Sequence, residues 1–102
     1  MTNATNGIAP VWVTKVGTIR YVSMLYDSLT SNVSAGTWYT LGNVPEDYRY
    51  STDKHIGGCF IGVNGTVYGF RGQYKSNGEI RVVFEKNIST SEYLFGTVVV
   101  VP

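Results

Sequence analysis

Apolar residues recur at every second position through almost the whole chain, and no stretch carries a helical stripe. A period of two is the period of a β-strand, so an all-β domain is what this chain can fold into. Val11 to Val16 reads as a strand rich in β-branched residues, and Gly17 ends it. Thr18 to Tyr26 follows, with Ile19, Tyr21, Ser23 and Leu25 on one face and Arg20, Val22, Met24 and Tyr26 on the other. Thr37 to Leu41, Ile56 to Val63, Thr66 to Tyr74, Glu79 to Glu85 and Tyr93 to Val101 complete the set. Two short turns join the middle strands: Asn64-Gly65, which suits a type I′ hairpin, and Lys75-Ser76-Asn77-Gly78. About seven short antiparallel strands with frequent turns predict a small β-barrel or sandwich.

The chain has 102 residues, the size of one domain. Residues 1–9 are polar and read as a linker or flexible lead-in, leaving residues 10–102 as the folded domain. Only 15% of residues are charged, against 43% hydrophobic and 14% aromatic. The surface is therefore dressed mainly by Ser, Thr, Asn, Gly and Tyr, which suits neutral partners such as sugars or further copies of the chain. A net charge of +1 gives no basic patch for nucleic acid and no electrostatic hold on an anionic membrane. No apolar run is long enough to span a bilayer.

Few residues offer catalysis. His55 and Cys59 are each the sole residue of their type, too few for a Cys/His zinc site, and Cys59 reads as a small buried hydrophobe. No Gly-x-Ser-x-Gly elbow, calcium loop or phosphate cradle is present. Glu79 and Glu85 share a strand face but stand too far apart for a glycosidase pair. The Asn-x-Ser/Thr sequons at Asn3, Asn32, Asn64 and Asn87 are what an Asn-, Ser- and Thr-rich chain produces by chance. The sequence therefore implies a binding domain, with no enzyme activity and no cofactor.

The aromatic residues are more suggestive. Trp12, Tyr21, Trp38 and Phe84 are expected in the core, while most tyrosines fall near strand ends. Tyr68, Tyr74 and Tyr93, with His55, Arg71 and Gln73, are the candidate ligand contacts, an aromatic platform beside hydrogen-bonding groups. Val98-Val99-Val100-Val101 is apolar on both strand faces, so something must cover its outer face. A neighbouring subunit is the favoured cover and a second sheet the alternative.

The segment Gly36-Thr37-Trp38-Tyr39-Thr40-Leu41-Gly42-Asn43-Val44-Pro45-Glu46-Asp47-Tyr48-Arg49 resembles the C-terminal head domains of receptor-binding and tail-fibre proteins from phages and prophages of Gram-positive bacteria. Those heads run Gly-x-Trp, a short strand, Leu-Gly, Leu-Pro, then Tyr-Arg-Pro. Here Val44 stands for the Leu before Pro45 and Tyr50 for the Pro after Arg49. Val11 to Ile19 resembles their opening strand pair, and Asn64 to Gly69 with Asn77 to Val82 resembles their closing hairpins. The resemblance implies a homotrimer at the tip of a phage tail fibre or baseplate, attached to other tail proteins and facing the host. Its ligand would be a host cell-wall saccharide, often one carrying phosphate. Val98 to Val101 would then lie at the trimer interface. A structural fibre-tip module, or a carbohydrate-binding module of a cell-wall hydrolase, is the alternative.

Overall fold

The computed structural model describes residues 1–102. It contains eight strands: β1 (Thr2–Asn3), β2 (Val11–Val16), β3 (Ile19–Ser28), β4 (Trp38–Asn43), β5 (Lys54–Gly62), β6 (Val67–Tyr74), β7 (Glu79–Phe84) and β8 (Tyr93–Val100). The only helical element is a single 3-10 turn, Glu46–Tyr48. The strands form one antiparallel sheet in the order β1-β2-β3-β8-β5-β6-β7-β4, curled as a half-barrel.

The two ends of this sheet are laced together by the segment expected as a flexible lead-in. Thr5 and Asn43 exchange backbone hydrogen bonds, and the Ile8 and Ala9 amides donate to the Thr40 and Leu41 carbonyls. Ala4 and Ala9 are buried in the core. Residues 2–9 thus belong to the folded unit and supply an eighth strand. Their small, polar composition hid this: β1 pairs with β2 over only two residues, and the partner of residues 5–9, β4, lies more than thirty residues away.

Midway round the sheet, the ladder between β5 and β8 is only two pairs long, Ile61↔Phe95 and Gly62↔Leu94. The curl brings Val11, Val13, Val22, Met24, Val98 and Val100 of one half against Ile56, Phe60, Phe70, Ile80, Val82 and Phe84 of the other. As the alternation of β7 predicts, Ile80, Val82 and Phe84 point inward. Phe70 packs between Phe60 and Phe84, with centroids 5.0 and 5.5 Å away.

Both middle hairpins have the same turn, and it is not type I′. The Gly62 amide donates to Thr66 and Gly65 to Gly62, while Lys75 donates to Glu79 and Gly78 to Lys75. Asn64 Oδ1 accepts from the Thr66 amide, and Asn77 Oδ1 from the Glu79 amide. Only the glycine is left-handed in each, Gly65 at φ 89° and Gly78 at φ 95°. These are three-residue loops with a terminal left-handed glycine. Asn serves by capping the loop with its side chain rather than by adopting positive φ.

The segment after β4 is anchored densely. Arg20, only 6% exposed, donates from Nε to the Tyr48 carbonyl and from Nη1 to Gly17 and Ile19. Tyr74 Oη also donates to Tyr48, at 2.6 Å, and Arg49 Nε donates to Val44. Burial raises the Tyr74 hydroxyl pKa to about 12.

Candidate functional site

Pairing of β5, β6, β7 and β4 lays two rows of side chains across the outer face of the sheet. One row runs His55, Gln73, Arg81, Thr40, and the other runs Gly57, Arg71, Val83, Trp38. Successive strand residues point to opposite faces, so these residues look away from the core that their neighbours fill. Trp38, His55, Ile56, Arg71, Gly72 and Gln73 line a shallow, open depression there.

Trp38 is the centre of this surface. It is 46% exposed, although aromatic bulk had suggested a core position. Its parity was legible: Leu41 is buried and the chain alternates, so Tyr39 turns inward and Trp38 outward. The Arg81 guanidinium lies 4.4 Å from the Trp38 ring centroid and the Arg71 guanidinium 5.8 Å away. Each contact adds about 0.5–1 kcal/mol at an exposed site. Both cations thus lean on an aromatic ring rather than on a carboxylate. Glu79, two residues before Arg81 in β7 and paired with Asn43 outside the row, accepts a hydrogen bond from the Thr40 hydroxyl.

At the His55 end, the Asp53 carboxylate accepts the Ser76 amide at 2.8 Å. That hydrogen bond, helped by the charges of Lys75 and His55, holds its pKa below the usual carboxylate value. The surface therefore presents one exposed indole, two guanidiniums, an amide and an imidazole on a rigid sheet. Such groups stack on a sugar ring, hydrogen-bond its hydroxyls and attract an anionic substituent. No three His, Cys, Asp or Glu side chains gather where they could hold a metal ion.

Of the residues singled out from sequence, the structure brings His55, Arg71 and Gln73 together. It does not bring Tyr68, Tyr74 or Tyr93 to them. Tyr68 and Tyr74 share the inward parity of Phe70 and are buried. Tyr68 Oη donates to Glu92 at 2.8 Å, and burial is the main cause of its raised pKa. Tyr93 sits at the far end of the sheet, stacked on Tyr26 with centroids 5.5 Å apart and planes 16° apart. The valine run divides similarly: Val98 and Val100 belong to the chain's own core, while Val99 and Val101 are exposed. Tyr21 faces outward beside Val99, outside the core expected for it. Cys59 is half-buried on the outer face of β5, not in the core.

No protein family model, curated protein or solved structure matches this chain.

Proposed function

We propose that this domain is a non-catalytic binding head that recognises a saccharide on a host cell surface, carried as a homotrimer at the tip of a phage tail fibre or baseplate. The observation that carries the reading is Trp38, held outward on a rigid sheet between two guanidiniums, with Gln73 and His55 in the adjoining row. An exposed indole gives the apolar face of a sugar ring a surface to stack on. Arg71 and Arg81 favour a ring bearing phosphate or carboxylate, since a guanidinium matches either anion with paired hydrogen bonds. The sparse charge of the rest of the chain and the sequence pattern around Trp38 to Arg49 support the same reading.

An open depression of this kind binds weakly at each site. Millimolar to micromolar affinity corresponds to about −4 to −8 kcal/mol. Several copies on one tail would multiply the effect by avidity. A purely structural fibre-tip role would leave the exposed Trp38 and its two arginines without a purpose. The direct test is a panel of neutral and phosphate-bearing cell-wall saccharides presented to the wild-type domain and to Trp38→Ala. Binding of a phosphate-bearing member by the wild type alone is the expected result. Equal binding by both proteins, or by neither, would reject the reading.

A further inference from the structure

The outer face of β3 and β8 is apolar along most of its length. Tyr21 pairs with Val99, Ser23 with Thr97 and Leu25 with Phe95. These residues alternate with Val22, Met24, Val98 and Val100, which fill the core, so they point outward. The pairs hold no charged side chain, and the Ser23 and Thr97 hydroxyls satisfy each other at 2.9 Å. Leu25, Tyr26, Tyr93, Phe95, Val99 and Val101 are 42–60% exposed. At the usual side-chain areas they present roughly 600 Å² of apolar surface, the upper end for a monomer's largest patch. A stable interface needs about 800 Å² per partner, and half-buried Tyr21 and Ile61 border the same face.

Tyr26 sharpens the point. It is left-handed at φ 71°, a strained conformation for a residue with a bulky side chain, and it sits where the β3–β8 register shifts between Leu25 and Asp27. The bulge turns its ring out against Tyr93, so that both rings stand in solvent. Backbone strain that expels an aromatic ring from the fold is compensated where a partner then buries the ring. Aromatic anchors of this kind dominate the energetics of protein interfaces.

We infer that this face is a self-association surface, covered by a second copy of the chain and anchored by Tyr26, Tyr93, Leu25 and Phe95. A copy is the fitting occupant because the face carries no charge that a different partner could read, and none that would repel its own image. The inference corrects the four-valine interface expected from sequence, since only Val99 and Val101 remain available. It rests on the proposed function only for the number of copies. The Trp38 surface lies off this face, near the opposite end of β5 from Tyr93, so association leaves it open.

The test is the solution mass of the full chain by light scattering and sedimentation across the micromolar range. Wild type is expected to be larger than a monomer. Tyr26→Gly, which relieves the strained φ and removes the ring, is expected to weaken association by about tenfold or more while keeping or raising the melting temperature. Tyr93→Ser with Phe95→Ser is expected to do the same, and Trp38→Ala to associate as wild type does. A monomeric wild type, or Tyr26→Gly associating at wild-type strength, overturns the inference. So does a Tyr26→Gly protein that loses saccharide binding while its association is unchanged. A dimer abolished by these variants supports the surface and rejects the trimer of the proposed function.

Discussion

Arg20 is a buried cation with no carboxylate beside it, and replacing it by Met isolates what its charge contributes. The guanidinium donates to the Tyr48 carbonyl at 3.1 Å, to Gly17 at 2.9 Å and to Ile19 at 3.2 Å, with the Tyr50 ring centroid 4.9 Å away. Hydrogen bonds from a charged donor contribute about 1.5–3 kcal/mol each. Not all of that is lost, because the Tyr48 carbonyl keeps the Tyr74 hydroxyl and burying a cation has its own desolvation penalty. The bond to Tyr48 is the one that ties β3 to the turn after β4. Its loss, with the Tyr50 contact, sets the expected destabilisation of Arg20→Met at about 2 kcal/mol. Arg20→Ala also loses the packing of the aliphatic stem and is expected to fall by about 3–4 kcal/mol. Urea unfolding followed by tyrosine and tryptophan fluorescence would read both, as a lower midpoint at unchanged slope. An Arg20→Met protein as stable as wild type, or more so, would refute the reasoning. It would show that desolvation outweighs the hydrogen bonds.

Two further perturbations follow from the core. A Cβ on Gly72 would collide with the Arg81 carbonyl oxygen, so Gly72→Ala must part β6 from β7; a loss of about 3 kcal/mol or more is expected by thermal melting, and a change under about 0.5 kcal/mol would contradict the packing. Burial raises the hydroxyl pKa of Tyr74 to about 12 and also raises those of Tyr50 and Tyr68. A pKa raised in the folded state favours the neutral phenol, so this contribution is complete below pH 10 and is lost as pH rises through the folded value. Unfolding midpoints should therefore fall between pH 10 and about 12, less steeply in Tyr74→Phe; an equal fall in both proteins would contradict the burial of the Tyr74 hydroxyl.

Local periodicity carried most of the fold. The alternation in Glu79 to Phe84 fixed both that strand and its inward face, because a half-buried strand must alternate; in Val11 to Val16 it fixed the strand but not the face, since Trp12, expected in the core, is half-buried and Val11 and Val13 fill the core instead. The same rule could have settled more of the site. Tyr68, Phe70 and Tyr74 share one parity and Arg71 and Gln73 the other, so the tyrosines had to turn inward once Phe70 did. Nearness to strand ends was the weaker guide. Trp38 was hidden by the habit of placing tryptophan in the core, although Leu41 fixes its direction. What no local pattern could show was long-range pairing. The lacing of residues 5–9 to β4 joins segments more than thirty residues apart, and the bulge at Tyr26 appears only when β3 is laid against β8. The segment from Trp38 to Arg49 also divides in two. Trp38 faces solvent, whereas Val44, Tyr48 and Arg49 hold the turn through the Gly78 carbonyl, Arg20 and Tyr74.

The most direct test of the central claim is a two-dimensional NMR titration of the domain with a phosphate-bearing cell-wall saccharide. The account predicts shifts of the Trp38 indole N–H and of the Arg71, Gln73 and Arg81 amides, with Tyr26 and Tyr93 unmoved. It also predicts loss of the Arg71, Gln73 and Arg81 shifts in Trp38→Ala, which stays folded and loses no more than about 2 kcal/mol of stability with the two cation–π contacts. Shifts clustered elsewhere on the sheet, or saccharide binding that survives Trp38→Ala undiminished, would contradict it.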